Sequence, residues 1–187
     1  LKILGPRDKR ATGFFVINTT TTSSTWGRNL SPMLVGPVPL YNGTSAQNVE
    51  NAWQYAKVYP SHADSKGNPT PDYFKWAEKG WAKQWADRYP SGKNAIPLYS
   101  YWDEQKLGYI EARKKIYIPL YAEAVVKTEA FKTLKDFYSK HKNIALFDID
   151  GYDYESLGMS FNDVIHNEER RMGHAFILAM LLEGYIK

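Results

Sequence analysis

The apolar positions of this chain fall into short, separate runs, and the spacing within each run predicts an element. Residues 13–18 (Gly-Phe-Phe-Val-Ile-Asn) are aromatic and β-branched without a polar break, which predicts a buried strand. The Thr/Ser run from Thr19 to Thr25 reads as a loop leading into Trp26-Gly27-Arg28-Asn29 and then Leu30-Ser31-Pro32. Pro32, Pro37 and Pro39, with Gly36, keep the next stretch extended or turning. Asn42-Gly43 is a turn signal. Ser45 then serves as the predicted N-cap of a helix from about Ala46 to Tyr59, ended by Pro60 and the polar run after it.

Thr70-Pro71-Asp72 places a cap and a first-turn proline before a second helix reaching about Arg88. A Pro/Gly/Asn loop spans Tyr89 to Pro97. A long helical segment is predicted from near Glu104 to about Tyr121, with Pro119 kinking or ending it, and another from about Glu123 to Ser139. Residues 143–149 form a predicted core strand closed by Asp150-Gly151. Ser160 caps a short helix to Ile165, and Arg171 to Tyr185 is an apolar terminal helix. One strand, several helices, another strand and a final helix make a mainly helical α+β domain with a few short strands, not a repeating βαβ unit. No linker interrupts the pattern, so a single domain over residues 1–187 is expected.

Composition narrows the chemistry. The 187 residues contain no Cys, which excludes disulfides, thiolate zinc sites and a cysteine nucleophile. The four histidines (His62, His141, His166, His174) lack metal-binding spacing, so neither a metal nor another cofactor is expected. Mean hydropathy of -0.51 and the absence of a long apolar run argue against a membrane span, and with no visible secretory signal a cytoplasmic location is expected. A net charge of +4 favours anionic small molecules and is too mild for a dedicated nucleic-acid binder. The 6 Trp and 14 Tyr supply rings that can stack on bases or sugars or simply fill a core.

The segment Val49 to Tyr59 carries the most chemistry. Glu50, Gln54 and Lys57 are spaced i, i+4, i+7 and project from one helical face, with Trp53 beside them. Such a stripe is either the wall of a pocket or a solvated Glu–Lys face.

At these residues the sequence resembles the NADAR-like N-glycosidases. The matching stretches are Asn29-Leu30-Ser31-Pro32, Glu50-Asn-Ala-Trp-Gln54-Tyr-Ala-Lys57, the region Trp76 to Arg88, Ala112-Arg113-Lys114-Lys115, and Gly173-His174-Ala175-Phe176. His174 stands where the family has Asn, and residues 147–151 replace its Trp-Gly signature. The resemblance implies an N-glycosidase acting on an ADP-ribosyl or nucleotide-like substrate, with Glu50 as general acid/base and Lys57 as nucleophile. Gln54 would then orient a ribose hydroxyl.

Further binding candidates follow from residue type. Arg28, with Asn29, suits a phosphate or a base edge, and Arg88 and Arg113 are weaker candidates of the same kind. Trp26 and Trp53 suit base stacking or core packing. Asp148 and Asp150 end an apolar strand, where carboxylates often face a site, and His174 opens the last helix. Two other classes stay open. One is a non-catalytic binder of a nucleotide or ADP-ribose-like ligand; the other is a nucleic-acid module, for which modified nucleic acid is the candidate partner. Self-association is also left open.

Overall fold

A computed structural model describes all residues, Leu1–Lys187. In chain order the elements are β1 (Lys2–Leu4), β2 (Phe15–Asn18), a 3-10 turn (Trp26–Leu30), β3 (Val38–Pro39), β4 (Ser45–Ala46), α1 (Val49–Gln54), β5 (Lys57–Val58) and a 3-10 turn (Pro60–His62). They continue with α2 (Pro71–Ala82), β6 (Tyr99–Trp102), β7 (Gln105–Leu107), α3 (Tyr109–Ala112), a π turn (Arg113–Tyr117) and α4 (Ile118–Val125). The chain ends with α5 (Glu129–Lys140), β8 (Ile144–Phe147), α6 (Phe161–His166) and α7 (His174–Leu182). Helices and short strands mix without a βαβ repeat, so the α+β class holds. No helix is long and apolar enough to cross a membrane.

The chain packs as two compact units, residues 1–35 with 121–187, and residues 36–120. In the first, β8 lies between β1 and β2 and pairs parallel to both, with Leu4 and Asn18 each opposite Phe147. Ile144, Ala145 and Leu146 are buried there. α7 is apolar on every side and buried from His174 to Met180, as a helix without a polar face must be. The strand expected to be buried at residues 13–18 is shorter and half solvated: Phe15 is 54% exposed and Val16 46%. β2 is an edge strand, and of its apolar residues only Ile17 turns fully inward.

In the second unit, β5, β6 and β7 form an antiparallel sheet with Lys57 opposite Ser100 and Ser100 opposite Leu107. β3 and β4 make a separate two-stranded pair. Thr70 caps α2 as expected, its side chain accepting from the Tyr73 amide, but the helix ends at Ala82 rather than near Arg88. Lys83 there returns to extended backbone, and loop 83–87 is held by other residues described below.

The helix expected from Ala46 to Tyr59 contracts to six residues. Ala46 is taken into β4 and Lys57 into β5, so Asn48, not Ser45, becomes the N-cap. The segment expected to be helical from Glu104 begins with β7 instead, and Pro119 does not end it. That proline lies inside α4 directly after the π turn, where the i→i−4 ladder is already interrupted. The predicted helix Glu123 to Ser139 divides between the end of α4 and α5, which starts at a Thr128 cap. The terminal helix begins at His174 rather than Arg171.

Gly80 fixes how closely α2 approaches α1's C-terminal end. A Cβ there would lie 2.1 Å from the Tyr55 ring. Tyr55 cannot swing away freely, because its hydroxyl donates to Asp87 and accepts from Lys83. Gly80→Ala should therefore destabilise the protein by about 1–3 kcal/mol, read as a lowered thermal midpoint.

Candidate functional site

The residues singled out in the sequence fall into two groups, one in each unit. In residues 36–120 the focus is α1. Asn48 caps it through Oδ1, which accepts from the Asn51 amide at 2.8 Å. Glu50, Trp53 and Gln54 then lie on one face at i, i+3, i+4. Glu50 and Gln54 are both 8% exposed.

Lys57 is no longer on the helix, yet the sharp passage from α1 into β5 returns it to the same place. Its Nζ donates to Gln54 Oε1 at 3.0 Å, and Gln54 Nε2 donates to Glu50 Oε1 at 3.0 Å. The three residues form one hydrogen-bonded chain. Each link fixes the next: with its oxygen accepting from an ammonium, the Gln54 amide presents its NH2 to the carboxylate. The Lys57 ammonium also sits 5.2 Å from the Trp53 ring centroid, and Trp53 meets Tyr117 of the π turn at 5.3 Å. Lys57 and Trp53 are half-buried, so a cation and an aromatic face remain accessible beside a buried carboxylate.

The opposite side of α1 is tied down. Asn51 is fully buried; its Nδ2 donates to Trp85 O at 2.9 Å and its Oδ1 accepts from the Asp87 amide at 2.8 Å. Asp87 also receives hydrogen bonds from Lys83 and Tyr55, and these partners hold its carboxyl below the ordinary range against the upward push of burial. A sequence-only view passes over Asn51 because its partners are backbone groups more than 30 residues away. Asn51→Leu strands those groups and should cost about 2 kcal/mol, with faster hydrogen exchange at the Asp87 amide as the local signature.

Arg113, at the start of the π turn, is 2% exposed, with its guanidinium 4.7 Å from the Tyr109 ring. Nothing in the run Arg-Lys-Lys distinguishes it from a solvated basic patch. Arg88 is half-buried and lies over the Tyr89 ring at 5.4 Å.

In the other unit, Trp26, Arg28 and Asn29 lie on the 3-10 turn, with Arg28 and Asn29 exposed and Trp26 half-buried. Asp148 and His174 are brought together: Asp148 Oδ2 lies 3.1 Å from His174 Nδ1 and accepts from the Ala175 amide at 3.0 Å. Asp148 Oδ1 accepts from the amide of Asp150, which is half-buried at the end of the turn. His174 Nε2 is 2.9 Å from Thr19 O and 2.8 Å from Thr19 Oγ1, and that hydroxyl donates to Phe147 O. Thr19, a residue the sequence did not point to, is wholly buried.

The partners set the protonation state. A backbone carbonyl only accepts, so His174 Nε2 carries a proton; Asp148 is ionised, so Nδ1 carries one too. Burial is the largest influence on Asp148 and raises its pKa, but the charge and hydrogen bond of His174, with the Ala175 and Asp150 amides, together bring it down to about 2. An aspartate, a histidine and a threonine in line suggest a nucleophilic triad. A doubly protonated imidazole has no lone pair with which to act as a base, and the threonine hydroxyl is engaged by Phe147. This arrangement is a buried ion pair joining the end of β8 to the start of α7.

Comparison with known proteins adds one result. Residues 8–177 match the model of a family of unknown function (DUF6939). No curated protein matches the chain, and no solved structure does.

Proposed function

The chain belongs to DUF6939, a family of unknown function, and because that membership brings no chemistry with it, we propose a function from the residues: an N-glycosidase acting on an ADP-ribosyl or nucleotide-like substrate. The observation that carries this reading is the unbroken Glu50–Gln54–Lys57 hydrogen-bond chain beside the Trp53 ring. These are the residues on which the resemblance to NADAR-like proteins rests. An ordinary solvated Glu–Lys face would leave both charges in water, whereas here Glu50 is buried and Lys57 half-buried.

The groups suit the reaction. Breaking an N-glycosidic bond develops positive charge on the sugar, which a buried carboxylate stabilises far better than one in water. The departing base leaves with the bonding electron pair and takes up a proton. The anomeric carbon then accepts the Lys57 nitrogen, once that amine has lost its proton, and ring opening gives a Schiff base that water hydrolyses to release the sugar. Trp53 offers a face on which a base or ribose can lie.

The test is incubation with NAD, ADP-ribose, nucleotides and ADP-ribosylated bases or DNA, with products followed by mass spectrometry and borohydride added to reduce any Schiff base. Release of a free base, with a ribosyl mass added to the Lys57 peptide, is the expected result. If folded protein cleaves none of them but retains one through gel filtration, the glycosidase reading gives way to a non-catalytic nucleotide binder.

A further inference from the structure

We infer that Arg113 is the counter-ion of Glu50 and the residue that holds its carboxylate in place, a positioning role that gains catalytic meaning only through the glycosidase reading. A guanidinium is charged at every accessible pH, and burying it without an opposite charge is strongly unfavourable. Arg113 is 2% exposed. Of the carboxylates in residues 36–120, Glu50 alone is buried: Asp64, Asp72, Glu78, Asp103, Glu104 and Glu111 are exposed, and Asp87 is bound to Lys83 and Tyr55.

The backbone brings the two side chains toward each other. Trp53 and Tyr117 meet at 5.3 Å between ring centroids, so the face of α1 carrying Glu50, Trp53 and Gln54 meets the face of the π turn carrying Tyr117. Residues four apart lie on one face of a helical turn. Arg113 therefore shares Tyr117's face, one turn earlier, as Glu50 lies one turn before Trp53. Several other charges around α1 are accounted for. Those of α2 (Asp72, Lys75, Glu78, Lys79) are exposed, β4 has none, Lys114 and Lys115 pair with Glu111 at the surface, and Lys57 reaches Glu50 through Gln54.

One Glu50 oxygen accepts from Gln54 and the other faces Arg113, so both favour the ionised form. Glu50 then enters the reaction as an anion that stabilises the sugar cation or accepts a proton, and the proton for the leaving base comes from elsewhere.

A double-mutant cycle tests the pairing without reference to activity. Glu50→Gln and Arg113→Met should each raise the unfolding equilibrium constant by roughly a hundredfold or more, from urea titration. The double variant should be no less stable than either single one. Independent, multiplying effects would overturn the inference. Should a single variant fail to fold, carboxyl-13C titration of the wild-type protein decides: one glutamate signal should titrate at lower pH than the other glutamates, and the absence of any such downshifted glutamate would overturn it. Coupled residues in a protein that cleaves nothing would refute the glycosidase reading and leave the pair standing; uncoupled residues in an active enzyme would do the reverse.

Discussion

Replacing Asp148 by Asn should lower the stability of the fold by about 3–5 kcal/mol at neutral pH, the usual consequence of removing one partner of a buried ion pair. The size follows from what is left behind. His174 is 5% exposed and needs protons on both ring nitrogens to satisfy Thr19 on one side and Asp148 on the other. An asparagine of the same shape cannot balance that charge. If its NH2 group faces the imidazole or the Ala175 amide, two donors oppose each other. Gly173 leaves no slack, because a Cβ there would already lie 2.1 Å from Asp148 Oδ2.

The same pair gives the wild-type protein a definite acid limb. The folded-state pKa of Asp148 is about 2 against an ordinary 3.8, so it is depressed. Its contribution is then fully present above about pH 4 and is lost as pH falls through about 2; a shift of this size corresponds to about 2 kcal/mol. Urea unfolding from pH 7 to pH 2 measures it. The wild-type curve should fall across that window, and the Asp148→Asn curve should lack this component.

What the sequence made legible followed local chemistry. Thr70 and Ser160 were readable as caps because each stands directly before its helix with a partner amide three residues on. The strand expected over residues 143–149 was readable from its unbroken apolar centre, Ile144–Phe147, which is the strand observed. The α1 boundary was not, because Ser45 and Asn48 are both good caps only three residues apart. The choice between them was made by the pairing of Ala46 with Val38, which is a tertiary event.

The β6–β7 hairpin was hidden for a different reason. Its turn residues, Asp103 and Glu104, both have positive φ, at 48° and 64°. That conformation is usually announced by Asn or Gly, and a Glu there announces nothing. Without the turn signal, residues 105–107 merged with the helical pattern after them.

The candidate site divides in the same way. Glu50, Gln54 and Lys57 were found by helical spacing, although Lys57 reaches the site from a strand. The i+7 position of a longer helix and the first residue after a sharp exit happen to bring a side chain back beside Gln54. Thr19 and Asn51 left no trace in sequence, since each acts through partners more than 30 residues away, largely backbone groups. Arg113 was visible only as one basic residue among three, although the fold buries it.

Replacement of Lys57 should then have the largest kinetic effect. Lys57→Ala should reduce cleavage by about 10³-fold or more, the scale on which loss of a covalent nucleophile is felt, while Glu50→Gln should cost about 10²–10⁴-fold. Alanine removes three things together: the nucleophile, the hydrogen bond to Gln54 and the cation over Trp53. Lys57→Arg separates them. Arginine keeps the charge, can donate to Gln54 Oε1 and lies flat on an aromatic ring, but its guanidinium stays protonated and cannot attack carbon. The Arg variant should therefore match wild-type stability and ligand retention while losing turnover and the borohydride-trapped adduct. Residual cleavage within tenfold of wild type in Lys57→Arg would show that this side chain supplies charge alone. The same chain of contacts would then support direct hydrolysis, with Glu50 ordering the water that attacks the sugar.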